Sequence, residues 1–250
     1  MNICLKISYL GSNYFGFQKQ PDKITIQGVL ETTFLNIFHR EIKIIGCSRT
    51  DAGVHAKEFY CNFHIENFFV PYKNIKNAMN VHLHYDIRIL DCYEVSEDFH
   101  SRYFAKKKEY EYKIFNGEVL SPFKYLDHMY FKFPLDFNKM SYACKYFEGT
   151  HDFKSFTSKG SSVKTTIRTI FKSELYKEED VIIYKVLGDG FLYNMVRIIV
   201  GTLIMVGQGR IKESDILSII KSKERGKAGF VADSKGLCLK KVFYDNWHTK

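Results

Sequence analysis

Apolar and polar positions alternate with two different periods along this chain, and each change of period marks an element. Residues 3 to 9 set Ile3, Leu5, Ile7 and Tyr9 against Cys4, Lys6 and Ser8, which predicts a half-buried strand. From Ile26 the spacing lengthens. Ile26, Val29, Leu30, Phe34, Ile37 and Phe38 form one stripe at helical spacing, and Thr25 stands where an N-cap belongs. Strands are predicted over 42–45 and 58–64; on the second, Phe59, Cys61 and Phe63 face one way and Tyr60, Asn62 and His64 the other. Pro71 can open a second helix running to about Asn80, with a strand near 87–93 after it. His82 and His84 could share one side of a strand, but no third ligand lies nearby, so they read as surface positions.

The second half repeats this style. Its clearest strand is 105–115, with Lys106, Lys108, Tyr110, Tyr112 and Ile114 on one face and Lys107, Glu109, Glu111, Lys113 and Phe115 on the other. A face grading from lysines to tyrosines suits the border of a nucleic-acid groove, and ordinary cross-strand pairing explains it equally well. A helix is predicted over 137–147, ended by Gly149, and then a mobile basic loop from Ser155 to Thr166. Strands follow near 167–175 and 181–187, joined by a charged turn at 176–180. The run 191–206 is apolar nearly all round, too short for a bilayer, and carries Arg197 in its middle, so it is read as a helix buried in protein. A helix over 211–221 and a strand over 237–244 complete the pattern. The fold class is therefore α+β: two similar α/β halves, 1–104 and 105–250, sharing a continuous, mainly antiparallel sheet with helices packed on it.

Composition narrows the partners. The chain has 250 residues, 45% hydrophobic and 16% aromatic, as a globular protein requires. Lys and Arg number 37 against 28 Asp and Glu, a formal net charge of +9 that favours an anionic partner, nucleic acid first. Six scattered cysteines with no Cys-x-x-Cys give neither a zinc site nor a thioredoxin motif, and the start of the chain lacks a signal peptide's basic and apolar regions. Free thiols in a reducing cytoplasm, with no membrane association, are the expectation. Two glycine pairs mislead. Phe17 replaces the lysine a phosphate loop needs after Gly11 and Gly16, and Tyr193 stands where a dinucleotide loop needs a third glycine after Gly188 and Gly190.

The candidate chemistry sits in the loop Gly46 to Ala56. It holds one carboxylate (Asp51), one guanidinium (Arg49) and two hydroxyls within four residues, with glycines at both shoulders. No metal-ligand spacing surrounds Asp51, and taken alone the loop could be a polar hairpin in which Asp51 makes an Asx-turn. Arg197 adds an electrostatic demand, because a guanidinium cannot shed its proton and needs an anion when buried. Asp51, Asp189 and Asp233 are all candidates for that anion. Asn194 and Gly201 share the helical face of Arg197.

Ser48-Arg49-Thr50-Asp51-Ala52-Gly53-Val54-His55-Ala56 resembles the catalytic signature of the TruA family of tRNA pseudouridine synthases. Other segments resemble the same family in the same order: Tyr9 to Gln20, Asp98 to Tyr103, Tyr110-Glu111-Tyr112, His151 through Phe156, Arg168-Thr169-Ile170, Gly190-Phe191-Leu192 and Met195-Val196-Arg197. The resemblance implies the pseudouridine synthase fold and an isomerase that turns uridine into pseudouridine at positions 38, 39 and 40 of tRNA. It implies Asp51 as nucleophile, Arg197 as its ion-pair partner, and Tyr110 against the uracil with a possible part in proton transfer. Arg49, Arg102 and Leu192 are expected to help bind the RNA. No metal or organic cofactor is implied, and a homodimer is. Ser48 departs from the family's usual glycine, and Glu109 beside Tyr110 departs from its common pattern. The alternatives are a non-catalytic RNA-binding or tRNA-folding module and a paralogue acting on another RNA. A carboxylate-dependent hydrolase lacks a second acid at any recognisable spacing.

Overall fold

The computed structural model describes residues 1–160 and 163–245. Its contacts divide the chain into two units, Met1–Lys106 with Leu239–Lys250, and Lys107–Cys238. The last strand is thus grouped with the first half.

In the first unit, β1 (Asn2–Tyr9) lies antiparallel between β3 (His55–His64) and β4 (Ile87–Val95). The order is β4-β1-β3-β10, with β10 at Leu237–Tyr244 and the two-residue β2 (Ile45–Gly46) also on β3. The β3 strand begins three residues earlier than its alternation suggests, and Phe59 to Phe63 are buried on both of its faces. Helices α1 (Ile26–Phe38) and α2 (Tyr72–His82) accompany this sheet. Thr25 caps α1 by accepting from the Gly28 amide at 3.2 Å, and α1 ends where His39 turns left-handed at φ 54°.

The strand expected at 42–45 shrinks to its last residue because side chains of α1 take its backbone bonds. Glu31 Oε1 accepts from the Ile44 amide at 3.0 Å, and Gln27 Nε2 donates to the Ile44 carbonyl at 3.1 Å. Ile42 and Ile44 remain buried, so the apolar pattern reports burial there and not a ladder. His82 closes α2 and His84 lies in the following loop, so they do not line a strand.

In the second unit the order is β5-β9-β8-β7, antiparallel throughout: β5 (Ala105–Phe115), β9 (Val181–Gly188), β8 (Ile167–Glu178) and β7 (Gly149–Asp152). A short β6 (Met129–Tyr130) pairs parallel with β5. Neither β6 nor β7 was expected, being too short for a period to show. Helix α3 covers Phe137–Cys144 and tightens to a 3-10 turn at Lys145–Phe147, after which Gly149 opens β7 at φ 104°. The turn after β8 is shorter than its charges suggest, with Glu179 left-handed at φ 51°.

Helix α4 (Met195–Gly207) begins four residues later than its apolar run, because Asn194 adopts φ 59° and breaks the helical path. The helix expected at 211–221 reduces to a 3-10 turn and α5 (Ile216–Ser222). Ser155, placed in a mobile loop by its composition, is buried and donates to the Ile219 carbonyl at 2.7 Å. Two positions of that loop, 161 and 162, lie outside the described residues. No helix among the described residues is long and apolar enough to cross a membrane. Each unit is a mixed α+β layer of mainly antiparallel strands with helices packed on it, as the periodicities imply.

Candidate active site

The Asp51 loop is built between β2 and β3. Cys47 donates its amide to the Tyr60 carbonyl at 2.8 Å, after which the chain leaves the ladder. It returns through a four-residue turn closed by the Val54 amide on the Asp51 carbonyl at 3.1 Å. Gly53 occupies that turn's third position at φ 80°, which a residue with a β-carbon adopts only at a cost. Asp51 is half-buried, Thr50 beside it is buried, and Arg49 is exposed.

A strap of residues 11–17 supports the turn from behind. The Phe17 amide donates to the Thr50 carbonyl at 3.2 Å and the Gly53 amide to the Tyr14 carbonyl at 3.2 Å. The Gly11 amide donates to Nδ1 of buried His55 at 3.0 Å, so that nitrogen carries a lone pair. Tyr9 Oη and Thr50 Oγ1 share a hydrogen bond of 2.7 Å. The approach is so close that a β-carbon at Gly16 would stand 2.6 Å from the Thr50 carbonyl oxygen and 3.2 Å from the Asp51 carbonyl carbon. Gly46, the loop's first shoulder, makes room for the Phe17 ring, whose Cζ would lie 2.8 Å from a β-carbon there. Ser48 is half-buried and is not among the residues with positive φ, so a side chain in place of glycine carries no backbone strain.

Tyr110 and Arg197 belong to the second unit. Tyr110 sits on β5 with only 6% of its surface exposed, its ring edge-on to Phe191 at 5.1 Å and 81°. Phe191 and the buried Leu192 precede the turn at Tyr193 and Asn194 that leads into α4. Arg197 is half-buried on a helix that is otherwise almost wholly buried. Its Nε donates to the Ala232 carbonyl at 2.7 Å, its Nη1 to Asn194 Oδ1 at 2.7 Å, and its own carbonyl accepts from the Ala232 amide at 3.2 Å. The shared face of Asn194 and Arg197 is thus a hydrogen-bonded pair. Asp189 Oδ1 accepts from the Thr169 amide at 3.1 Å, and Asp233 Oδ1 from the Lys235 amide at 3.0 Å. Behind Tyr110, the phenol of Tyr112 is fully buried and donates to the Asp233 carbonyl at 2.6 Å. Burial first, and Asp233 second, push its pKa well above the ordinary value, with Arg197 pulling the other way.

Arg102, in the first unit, is exposed, its guanidinium 6.0 Å from the Tyr103 ring centre. Among the described residues, no group of three or more His, Cys, Asp or Glu is arranged to hold a metal ion.

A family model described as tRNA pseudouridine synthase matches residues 6–104 and 143–245. This chain belongs to the tRNA pseudouridine synthase family. The tRNA pseudouridine synthase A of Clostridium kluyveri is 47% identical over 243 residues, spanning 97% of this chain and 99% of that protein. The protein named tRNA pseudouridine synthase A 2 from Clostridium perfringens is 47% identical over 245 residues, and its namesake from Clostridium tetani 46% over 248, each covered to 99%. The first matched segment holds the Asp51 loop and its strap; the second holds α4 with Arg197. Tyr110 falls between them, in a stretch the family model leaves out and the full-length relatives span.

As a tRNA pseudouridine synthase the chain is an isomerase. A half-buried carboxylate on a loop fixed by backbone hydrogen bonds is what such chemistry can use, because it does not reorganise when charge moves. Sequence reasoning missed the residues that brace this loop, Gly11 and Tyr14 through the backbone and Tyr9 through its phenol. Tyr9, Gly11 and Tyr14 belonged to a segment quoted for its family likeness, with no role attached, and their bonds to the Asp51 loop span about forty positions. No local pattern could have shown them.

Proposed function

We propose that this isomerase converts uridine to pseudouridine in the anticodon arm of tRNA, at positions 38, 39 and 40, with Asp51 as nucleophile. Attack by the Asp51 carboxylate on the ribose or the base allows the bond between N1 and C1′ to break. The uracil then turns and rejoins C1′ through C5, and the bond to Asp51 breaks to return its carboxylate; C5 loses its proton and N1 gains one, so nothing is oxidised and no water is consumed. The observation that carries the reading is the Asp51 turn itself, a carboxylate-bearing turn whose loop is held by three hydrogen bonds from one strap within a segment matching the family. Arg197 is assigned as the cation that keeps Asp51 ionised, since a nearby guanidinium lowers a carboxylate's pKa. Tyr110 is assigned to lie against the extruded base, with Leu192 beside it in the substrate pocket. Arg49 and Arg102, both exposed, are assigned to the RNA backbone. The resemblance alone supports a cytoplasmic homodimer.

The test uses tRNA carrying tritium at C5 of its uridines. Tritium release followed by mapping of the modified positions should give 38, 39 and 40, and Asp51→Ala should abolish release while RNA affinity stays within about tenfold, because phosphate contacts dominate binding. Binding without release by the unaltered protein would favour a non-catalytic module. Release mapping elsewhere would assign a different RNA site.

A further inference from the structure

The strap behind Asp51 is itself anchored, by its own backbone to the start of α1 and by Asp86, which lies outside every motif quoted above. Tyr14, only 8% exposed, donates its phenol to Asp86 Oδ1 at 2.6 Å. The same carboxylate receives Asn13 Nδ2 at 3.4 Å and faces His84 Nδ1 at 3.0 Å, while the Asp86 carbonyl accepts from the Leu10 amide at 2.9 Å. Asp86 therefore grips the strap just before its first residue and again at Tyr14. The anchor does not float. Arg88 Nη1 donates to the carbonyls of Leu83, His84 and Ile87, each at 2.9 Å, and its guanidinium lies 4.7 Å from the Tyr85 ring centre, so the loop bearing Asp86 is tied to the end of α2 and the start of β4.

From Tyr14 the path to Asp51 is short. The Tyr14 carbonyl receives the Gly53 amide, Gly53 belongs to the turn closed on the Asp51 carbonyl, and three residues on the Phe17 amide holds Thr50. We infer that Tyr14 and Asp86 are paired positioning residues for Asp51, fixing through the strap the turn that aims its carboxylate. Neither touches the substrate in this account; each acts through the backbone of the loop. The clamp persists across the neutral range. Burial alone would raise the Asp86 pKa, but hydrogen bonds from Tyr14, His84 and Asn13 outweigh it and hold the carboxyl below its ordinary value. Tyr14, raised by burial and by that carboxylate, stays a donor.

This inference rests on Asp51 being the nucleophile, and the experiment separates the two claims. Tyr14→Phe, Asp86→Ala and the double variant are assayed for tritium release beside Asp51→Asn, with tRNA affinity and melting temperature measured for each. Losing the aim of a reacting group by about 1 Å costs up to about 100-fold. Each single variant should therefore lower kcat about 10- to 100-fold with KM and tRNA affinity within about threefold. The double variant should be no slower than the slower single one, because both break one link. Should Asp86→Ala fail to fold, Tyr14→Phe alone decides. A kcat near that of the unaltered protein in Tyr14→Phe overturns the inference while an inactive Asp51→Asn leaves the nucleophile in place. An active Asp51→Asn overturns both. Additive losses, or a fall in kcat accompanied by equal loss of tRNA affinity, overturn the positioning role in favour of general support of the fold.

Discussion

Alanine for Gly201 sets helix propensity against close packing and predicts which wins. In a helix interior, alanine is favoured over glycine by about 1 kcal/mol, so local preference alone predicts a more stable α4. The surroundings forbid it. A β-carbon at Gly201 would fall on the carbonyl oxygen of Phe230, 2.9 Å from its carbon and 3.3 Å from its nitrogen. Across the contact, a β-carbon at Gly229 would meet the Gly201 carbonyl carbon at 2.5 Å and Thr202 Cα at 2.6 Å. Backbone packs on backbone at this crossing, with no flexible side chain to yield. Relief requires α4 and the 229–232 segment to separate, which strains three hydrogen bonds: Gly229 amide to Thr202 Oγ1 at 2.8 Å, Arg197 Nε to the Ala232 carbonyl, and the Ala232 amide to the Arg197 carbonyl. Overpacking costs about 1–3 kcal/mol, and weakening the three bonds adds about 2 kcal/mol. Subtracting the propensity gain leaves a destabilisation of about 3 kcal/mol, or about 6–12 °C in Tm for a chain of this size. Thermal and urea unfolding followed by circular dichroism would read it, with Gly226→Ala as control, since a β-carbon there meets nothing within 4 Å. An equal or higher melting temperature for Gly201→Ala would refute the steric argument.

Two further outcomes follow from single buried groups. Tyr112→Phe leaves the Asp233 carbonyl without its 2.6 Å donor and should cost about 1–2 kcal/mol in urea unfolding; no change in midpoint would show the bond to be dispensable. His128 is buried beside Asp127, with burial lowering its pKa against the raising effect of that carboxylate, and Lys113 and Lys124 acting with burial. A depressed folded-state value means stability is fully present above the unfolded value of about 6.5 and is lost as pH falls toward the folded one. His128→Gln should therefore flatten the loss of stability between pH 7 and pH 5, as measured by melting temperature against pH. A slope unchanged by the substitution would remove His128 as its source.

Periodicity carried the existence of elements, though not the extent of burial, since Asn2 and Cys4 on β1 and Glu111 on β5 are buried on the faces opposite the apolar ones. The stripe of α1 and the alternation of β1 and β5 translate directly into elements, and Thr25 caps where its chemistry says it should. It failed where a residue's backbone bonds were taken from a distance. Ile42 to Ile45 reads as a strand because its side chains are apolar, but Gln27 and Glu31 occupy the Ile44 peptide, so no ladder forms. The run from Phe191 reads as helix from its first residue because it is apolar nearly all round. Burial there serves two ends, with Phe191 packing on the Tyr110 ring and the helix starting only after Asn194 turns left-handed.

The same distinction separates the legible and illegible parts among each unit's candidate residues. Asp51, Arg197 and Tyr110 carry functional groups whose chemistry can be named one residue at a time, so they stand out in a sequence. Gly11, Gly16 and Gly46 work by what they lack, and their effect is defined only by the atoms that fill the gap: the Val54 carbonyl, the Thr50 carbonyl and the Phe17 ring. Asp86 is a third kind. Its carboxylate has an ordinary local context, and its importance comes from a phenol seventy-two positions away. The proposed nucleophile thus stands out by its own motif, while the aim assigned to it rests on residues outside that motif. Substitutions at those residues should therefore slow the chemistry with the catalytic signature left intact.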